Sequence, residues 1–283
     1  MPSQREIRRR IASVRNIKQI TRAMQFVAAS KLKRAQDATL AARPYSEKLD
    51  EVLADVASVL GGETHPLLAK REGNARCLVV FTTDRPLAGA LNANVVRFAG
   101  HEIAEHQGDV TVVAVGRKGR DALRRLRVPI AAFLPNFGDR PAFADVLPLA
   151  RLITDDFLSG TYDRVDLVYP QFVSTLTQRP VIETLLPIHP SEDTHGIPGN
   201  QFIFEPNPGA VLEQLVPRYV AVRVYQAVLE SAASEQSSRM VAMRNATENA
   251  EELIDDLTLT YNKVRQANIT REMIEIASGA EAS

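Results

Sequence analysis

From Arg218 to Ser278 the chain contains neither glycine nor proline, an unbroken run of 61 residues. At roughly 1.5 Å per residue, a helix of that length extends about 90 Å. A compact globule of 283 residues has a radius of gyration near ~19 Å and a diameter of only about 50 Å. Such a helix outgrows its own domain, so something else must surround or receive it.

The other end of the chain carries a second long helical pattern. Ile7, Ile11, Val14, Ile17, Ile20, Met24 and Val27 recur at steps of three and four, the stripe of a helix with one buried face. Apolar residues continue through Leu32, Ala35, Tyr45, Leu49, Val52, Val56 and Leu60, and Gly61-Gly62 ends the segment. Pro44 is the one breaker, and a kink or restart is expected there. The last helix is expected to begin near Pro217, a residue suited to a first-turn position. Val220, Val224 and Ala227 form its early stripe, and Leu253, Leu257, Tyr261 and Val264 a later one. Between them Ser231, Ala232, Ala233, Ser234, Ser237 and Ser238 read as the tight part of a seam.

Charge links the two ends. The net charge is zero, yet residues 1–34 hold ten Lys/Arg against Glu6, and residues 245–283 hold eight acids against Lys263, Arg265 and Arg271. Opposite charges favour the helices lying side by side. The apolar pattern is too irregular for a leucine zipper, which favours an intramolecular antiparallel pair over a symmetric dimer. That pairing brings Glu251, Glu252, Asp255 and Asp256 toward Arg15, Lys18 and Arg22. The Arg-rich start could suggest a transit peptide, but its periodicity runs on without a cleavage-like break.

The middle of the chain has a different texture. Residues 77–82 and Val110 to Val115 are short apolar runs, followed by a helical stretch near 117–126 and a strand from Ile130 to Leu134. Residues 144–158 read as helix, and Val165 to Tyr169 and Val181 to Leu186 as strands. Phe202-Ile203-Phe204 reads as a short strand in a Pro/Gly-rich loop. The alternation predicts a small α/β domain with a mainly parallel, Rossmann-like sheet. Three domains are expected: residues 1–60 and 210–283 as the coiled-coil helices, and 73–208 as the α/β part.

Catalytic signals are weak. His101 and His106 resemble a zinc-protease pair but stand five apart, some 140° around a helix, so one metal cannot take both. Gly116-Arg117-Lys118-Gly119 lacks the spacing of a phosphate loop and reads as a strand-to-helix turn. Cys77, the single cysteine, lies in an apolar strand and reads as a core residue; no intrachain disulfide is possible. No nucleophile elbow, metal cluster or carboxylate pair stands out. A DNA-binding basic region would need a zipper directly after the N-terminal helix, and none follows. No run approaches 18 apolar residues, the length that spans a membrane.

Specific strings carry a resemblance. Residues 11–24 (IASVRNIKQITRAM), followed by Val27-Ala28-Ala29-Ser30-Lys31-Leu32, resemble the N-terminal helix of the γ subunit of F-type ATP synthase. Residues 269–280 (ITREMIEIASGA) resemble that family's C-terminal signature. Ser234-Glu235-Gln236, Arg239-Met240, residues 259–267, Thr83-Asp84-Arg85 with Leu91-Asn92, and Tyr169-Pro170-Gln171-Phe172 are similar too. The likeness spans essentially the whole chain.

The resemblance implies a central-stalk rotor: a coiled coil inside a hexamer of α and β subunits, and an α/β foot meeting the ε subunit and the ring of c subunits. It implies no catalytic site and no cofactor on this chain, a peripheral place on the cytoplasmic face of a bacterial membrane, and membrane association through the complex alone. By motif match, Met24, Arg239, Gln266, Thr270 and Glu272 fall where the shaft meets β subunits. Phe202, Phe204 and Glu205 fall where the foot faces ε and the ring. Pro86 and Ala90 stand where the family's loop usually carries glycines. The alternatives from pattern alone are a nucleic-acid-binding coiled-coil protein and a small-molecule enzyme built on the α/β domain.

Overall fold

Asn207-Pro208 starts the longest element. The Asn207 side chain accepts the Ala210 N–H at 2.8 Å and Pro208 occupies the first helical position, where its missing N–H costs nothing. The resulting helix runs from Pro208 to Glu281, 74 residues with Pro217 inside it, so the expected start near Pro217 is corrected. Pro217 is exposed, and water can satisfy the carbonyl it leaves unpaired. The N-terminal helix likewise runs from Gln4 to Leu60 through the exposed Pro44 with no restart.

The computed structural model describes residues 3–60, 65–189 and 204–281. Its elements are α1 (Gln4–Leu60), β1 (Arg76–Phe81), α2 (Leu91–Glu105), β2 (Val110–Val115), α3 (Arg117–Arg125), β3 (Ile130–Leu134), α4 (Phe143–Leu158), β4 (Arg164–Phe172), β5 (Gln178–Leu186) and α5 (Pro208–Glu281). By its contacts the chain divides into two units, residues 1–28 with 239–283, and residues 29–238. Of the expected strand at 202–204, Phe204 is in irregular structure and the rest lies outside the described residues.

The larger unit is built on one five-stranded sheet of order β3-β2-β1-β4-β5. β1, β2, β3 and β4 run parallel, and β5 returns antiparallel along β4. β1 is buried at every position, as a central parallel strand covered on both faces must be. Cys77, Val79 and Phe81 join Val113, Leu167 and residues of α4, with Leu53 and Val56 of α1 and Val220 and Val224 of α5. Leu78 and Val80 on the opposite face pack with Val95 and Ala99 of α2 and Leu123 of α3.

The smaller unit pairs the start of α1 with the end of α5, antiparallel. Lys18 Nζ meets Glu251 at 2.7 Å, the Thr21 and Thr247 hydroxyls meet at 2.8 Å, and Gln4 donates to the Tyr261 hydroxyl at 3.1 Å. The sheltered positions of α1 are Ile7, Ile11, Val14, Lys18, Thr21, Gln25 and Ala28, alternating steps of four and three. Those of α5 are Met243, Thr247, Ala250, Ile254, Leu257, Tyr261, Val264 and Asn268, with the same alternation. This is the 3.5-residue period of a coiled-coil seam. It corrects the apolar stripe read from sequence: Ile17, Ile20 and Val27 are exposed, as is Leu253. Lys18 and Thr21 take seam positions because a lysine stem packs while its ammonium reaches Glu251, and threonine pairs through its hydroxyl.

Candidate functional site

In open α/β sheets, ligands bind outside the carboxyl ends of the strands, where strand order reverses. Here that point lies between β1 and β4, and α5 fills it. The Ser234 hydroxyl donates to the Pro170 carbonyl at 2.8 Å, Ser237 to Thr175 at 2.7 Å and Ser238 to Ala88 at 2.7 Å. Glu230 accepts the Phe172 N–H at 2.8 Å, Glu235 accepts from Asn136 at 3.1 Å, and Gln236 donates to Asp139 at 3.3 Å. The small residues expected in a helix–helix seam therefore dock a helix onto the carboxyl ends of the central strands. Their short side chains bring the α5 backbone close to the loops, and their hydroxyls satisfy loop carbonyls.

The turn at Gly116 is likewise filled from within. Asp84 accepts the Arg117 N–H at 2.8 Å, the Thr83 carbonyl that of Lys118 at 3.0 Å, and the Thr82 hydroxyl that of Gly119 at 2.8 Å. These are first-turn donors of α3, which an anion would otherwise take. Gly116 has φ +92°, and a Cβ there would lie 2.2 Å from the Thr82 carbonyl oxygen. The motif is a strand-to-helix turn held by Thr82 and Asp84. Thr82→Val keeps the shape but removes the hydroxyl that accepts from Gly119 and donates to Val115. A loss of about 1–2 kcal/mol is expected in urea denaturation.

Thr83-Asp84-Arg85 and Asn92 close the loop after β1. Asn92 accepts the Thr83 N–H and donates to the Thr83 hydroxyl, both at 2.9 Å, and Thr83 donates to the Arg85 carbonyl at 2.8 Å. Ala90 has φ −87°, open to any residue, and the left-handed positions of this loop are Leu87 and Gly89.

Beside the docked helix an ionic hub joins α1, β4, β5 and α5. Arg223 lies 2.9 Å from Glu183 and 3.7 Å from Asp50, and the Tyr169 hydroxyl donates to Glu183 at 2.8 Å. Burial alone would lower the Arg223 pKa, but Glu183, Tyr219 and Asp50 outweigh it and raise it. Burial, with Glu183 adding to it, pushes the Tyr169 phenol well above its ordinary value, so it stays a donor. Cys77 is fully buried, its thiol raised to about 12 chiefly by burial, with Asp156 adding to it, and inert. His101 is exposed beside Glu105, and His106 bonds the Asn74 carbonyl; no metal-holding cluster occurs among the described residues.

The residues singled out by motif fall in different surroundings. Gln266, Thr270 and Glu272 are exposed on the last turns of α5, while Met24 is half-buried. Arg239 is buried, at 8 % exposure. Phe204 is half-buried against the larger core and Glu205 is exposed. Phe202 lies outside the described residues. Sequence reasoning missed Asn136 and Asp139, polar residues beyond β3 whose only signal was their place after a strand. On the smaller unit Ile17 (49 %), Ile20 (59 %), Phe26 (61 %) and Val27 (54 %) are exposed, and so are Ile269, Met273, Ile274 and Ile276. In the hydrogen-bonded form Lys18 holds the Glu251 carboxyl below its usual range, with its charge and that of Arg22 contributing. No helix of the described residues is long and apolar enough to cross a membrane.

A family model described as ATP synthase matches residues 3–282. The ATP synthase gamma chain of Dehalococcoides mccartyi is 51 % identical over 284 residues, covering 100 % of this chain and 99 % of that protein. That of Roseiflexus castenholzii is 51 % identical over 292 residues, with the same shares covered. Among solved structures, a chain of the central stalk and c-ring of the Tetrahymena thermophila mitochondrial ATP synthase aligns with TM-score 0.64 at 25 % identity, over 80 % of this chain and 99 % of that one. A chain of the Euglena gracilis mitochondrial ATP synthase rotor shares the fold, with TM-score 0.68 at 21 % identity over 94 % and 98 % of the two chains. The nucleic-acid reading is not favoured beside these relatives. Matched from residue 3 to 282, and identical at half its positions to gamma chains over their full length, the chain belongs to the ATP synthase gamma-chain family.

Proposed function

We propose that this chain is the central-stalk rotor of a proton-translocating ATP synthase, transmitting rotation from a membrane ring of c subunits to catalytic β subunits. The observation that carries this reading is the apolar surface of the two-helix unit. Its seam already buries one face of each helix, yet Ile17, Ile20, Phe26 and Val27 remain exposed outside it. An exposed apolar patch of this kind marks a partner surface. A surrounding hexamer of α and β subunits is the partner proposed for that surface.

Gln266, Thr270 and Glu272 offer exposed polar groups that exchange partners as the shaft turns, and Met24 and Arg239 contribute to the same contacts with β subunits. Phe202, Phe204 and Glu205 contribute the contact with ε and the ring. The chain acts without a catalytic site or cofactor of its own. Its crevice at the strand ends is filled by α5, and the nucleotide chemistry belongs to the partners. Each orientation of the shaft biases the three β subunits differently, a population shift driven by differential contacts. In a bacterial cell this work takes place at the cytoplasmic face of the membrane.

Reconstitution with α and β subunits tests this reading. The full chain is expected to co-purify with the hexamer and to raise its ATP hydrolysis. A chain ending after Val264, which lacks Gln266, Thr270 and Glu272, is expected to lower that stimulation severalfold. Hydrolysis indifferent to the chain, together with salt-sensitive DNA binding, would overturn it.

A further inference from the structure

Away from α5, at the amino ends of β1 and β4, lies a cavity of about 230 Å³. Lys70, Arg71, Arg76, Arg164 and His189 line it, and among the described residues Asp163 is its only acidic lining residue. We propose that this cavity binds a phosphate group, either free inorganic phosphate or the headgroup of an anionic lipid.

The parallel register sets two of the cations side by side, Arg76 opposite Arg164 at the strand starts. Asp166 is fully buried behind them and accepts from Arg76 Nε at 2.6 Å and from Arg164 Nε at 2.9 Å. Glu102 takes one further N–H of Arg76 at 3.3 Å, and Thr184 one of Arg164 at 2.8 Å. Each guanidinium has five N–H donors, so both keep donors in hand, and their orientation is already fixed from behind. Arg71 is anchored by the Tyr162 carbonyl at 3.2 Å and by the Phe157 ring, 4.3 Å from its guanidinium carbon. It meets no carboxylate, and Lys70 has no ion-pair partner among the described residues.

Asp163 opposes an anion, but its carboxylate is turned to the backbone, accepting the Ala75 N–H at 2.9 Å. It is also pressed against Gly73, where a Cβ would lie 2.1 Å from the carboxylate. Three forked guanidiniums and an ammonium suit a tetrahedral oxyanion better than a planar carboxylate. The volume is below the roughly 300–1,000 Å³ of sites for drug-sized ligands, so it suits a phosphate group and not a whole nucleotide.

Equilibrium dialysis of the full-length chain with labelled inorganic phosphate tests the assignment. One saturable site is expected, weakened at least about tenfold by Lys70→Glu and measurably by the milder Lys70→Ala. Lys118→Glu, an exposed cation outside the cavity, is expected to leave binding unchanged. Co-sedimentation with phosphatidylcholine vesicles carrying phosphatidic acid separates the sources. Sedimentation competed by free phosphate identifies a lipid headgroup, and phosphate binding without sedimentation identifies the free anion. Absence of saturable binding up to about 20 mM phosphate, or equal weakening by Lys118→Glu, would overturn the site.

Discussion

Asp166→Ala is expected to destabilise the chain by about 3–5 kcal/mol. The side chain is fully buried on the α2 face of the sheet, in register with Leu78. Its carboxylate is the closest anion to Arg76, which is itself buried and retains only the longer contact to Glu102 at 3.3 Å. Removing Asp166 strands a guanidinium that cannot recover its hydration without opening the sheet. The pair as a whole is another matter, because desolvating two charges offsets much of their attraction. Arg76→Met with Asp166→Leu is therefore expected to cost less than Asp166→Ala alone. Urea denaturation of the full-length chain, followed by far-UV circular dichroism, measures all of these. A loss below about 1 kcal/mol for Asp166→Ala would show that Arg76 finds other partners.

Ser234→Leu is expected to cost about 2–5 kcal/mol, combining overpacking with an unsatisfied carbonyl. Ser234 is fully buried against the end of β4. There Pro170 faces Pro180 across the ladder, and neither residue has an N–H to give. The pairing of β4 with β1 has also ended, at Val168. The Pro170 carbonyl therefore depends on a donor from outside the sheet, and the Ser234 hydroxyl is that donor. Ser231→Ala is the control. Its hydroxyl bonds the Ala227 carbonyl of its own helix, so its loss is expected to stay within about 0.5 kcal/mol. In the assembled enzyme the same Ser234 substitution is expected to lower the hydrolysis stimulated by the chain, since α5 is what joins shaft to sheet. Equal effects at both serines would refute the docking role.

Much of the fold was legible because the signals are local. The runs Val110–Val115 and Ile130–Leu134 are bounded by turn residues and became β2 and β3 as read. Pro217 was legible as a helix-start residue but misplaced, because Asn207-Pro208 supplied a better cap nine residues earlier in the same helix. Pro44 was read as a breaker, yet an exposed proline in a helix packed on both sides of it is tolerated. The seam was misread where apolar type and position disagree. Ile17 and Ile20 look like core, and Lys18 and Thr21 do not. At 3.6 residues per turn the two stripes lie side by side, and only the facing helix, through Glu251 and Thr247, decides which is covered.

The sequence by itself determined the two long helices, the α/β alternation between them, their opposite charges and the family they belong to. Each of these is written in neighbouring residues, as periodicity, breakers or strings. Only the tertiary structure decided where the small residues at 231–238 dock, what fills the crevice between β1 and β4, and which cations converge at the strands' other end. Those outcomes join residues 60 to 150 positions apart, as Ser234 joins Pro170 and Ser238 joins Ala88. No local pattern can encode such a meeting, because its partner is chosen by the packing of the whole unit.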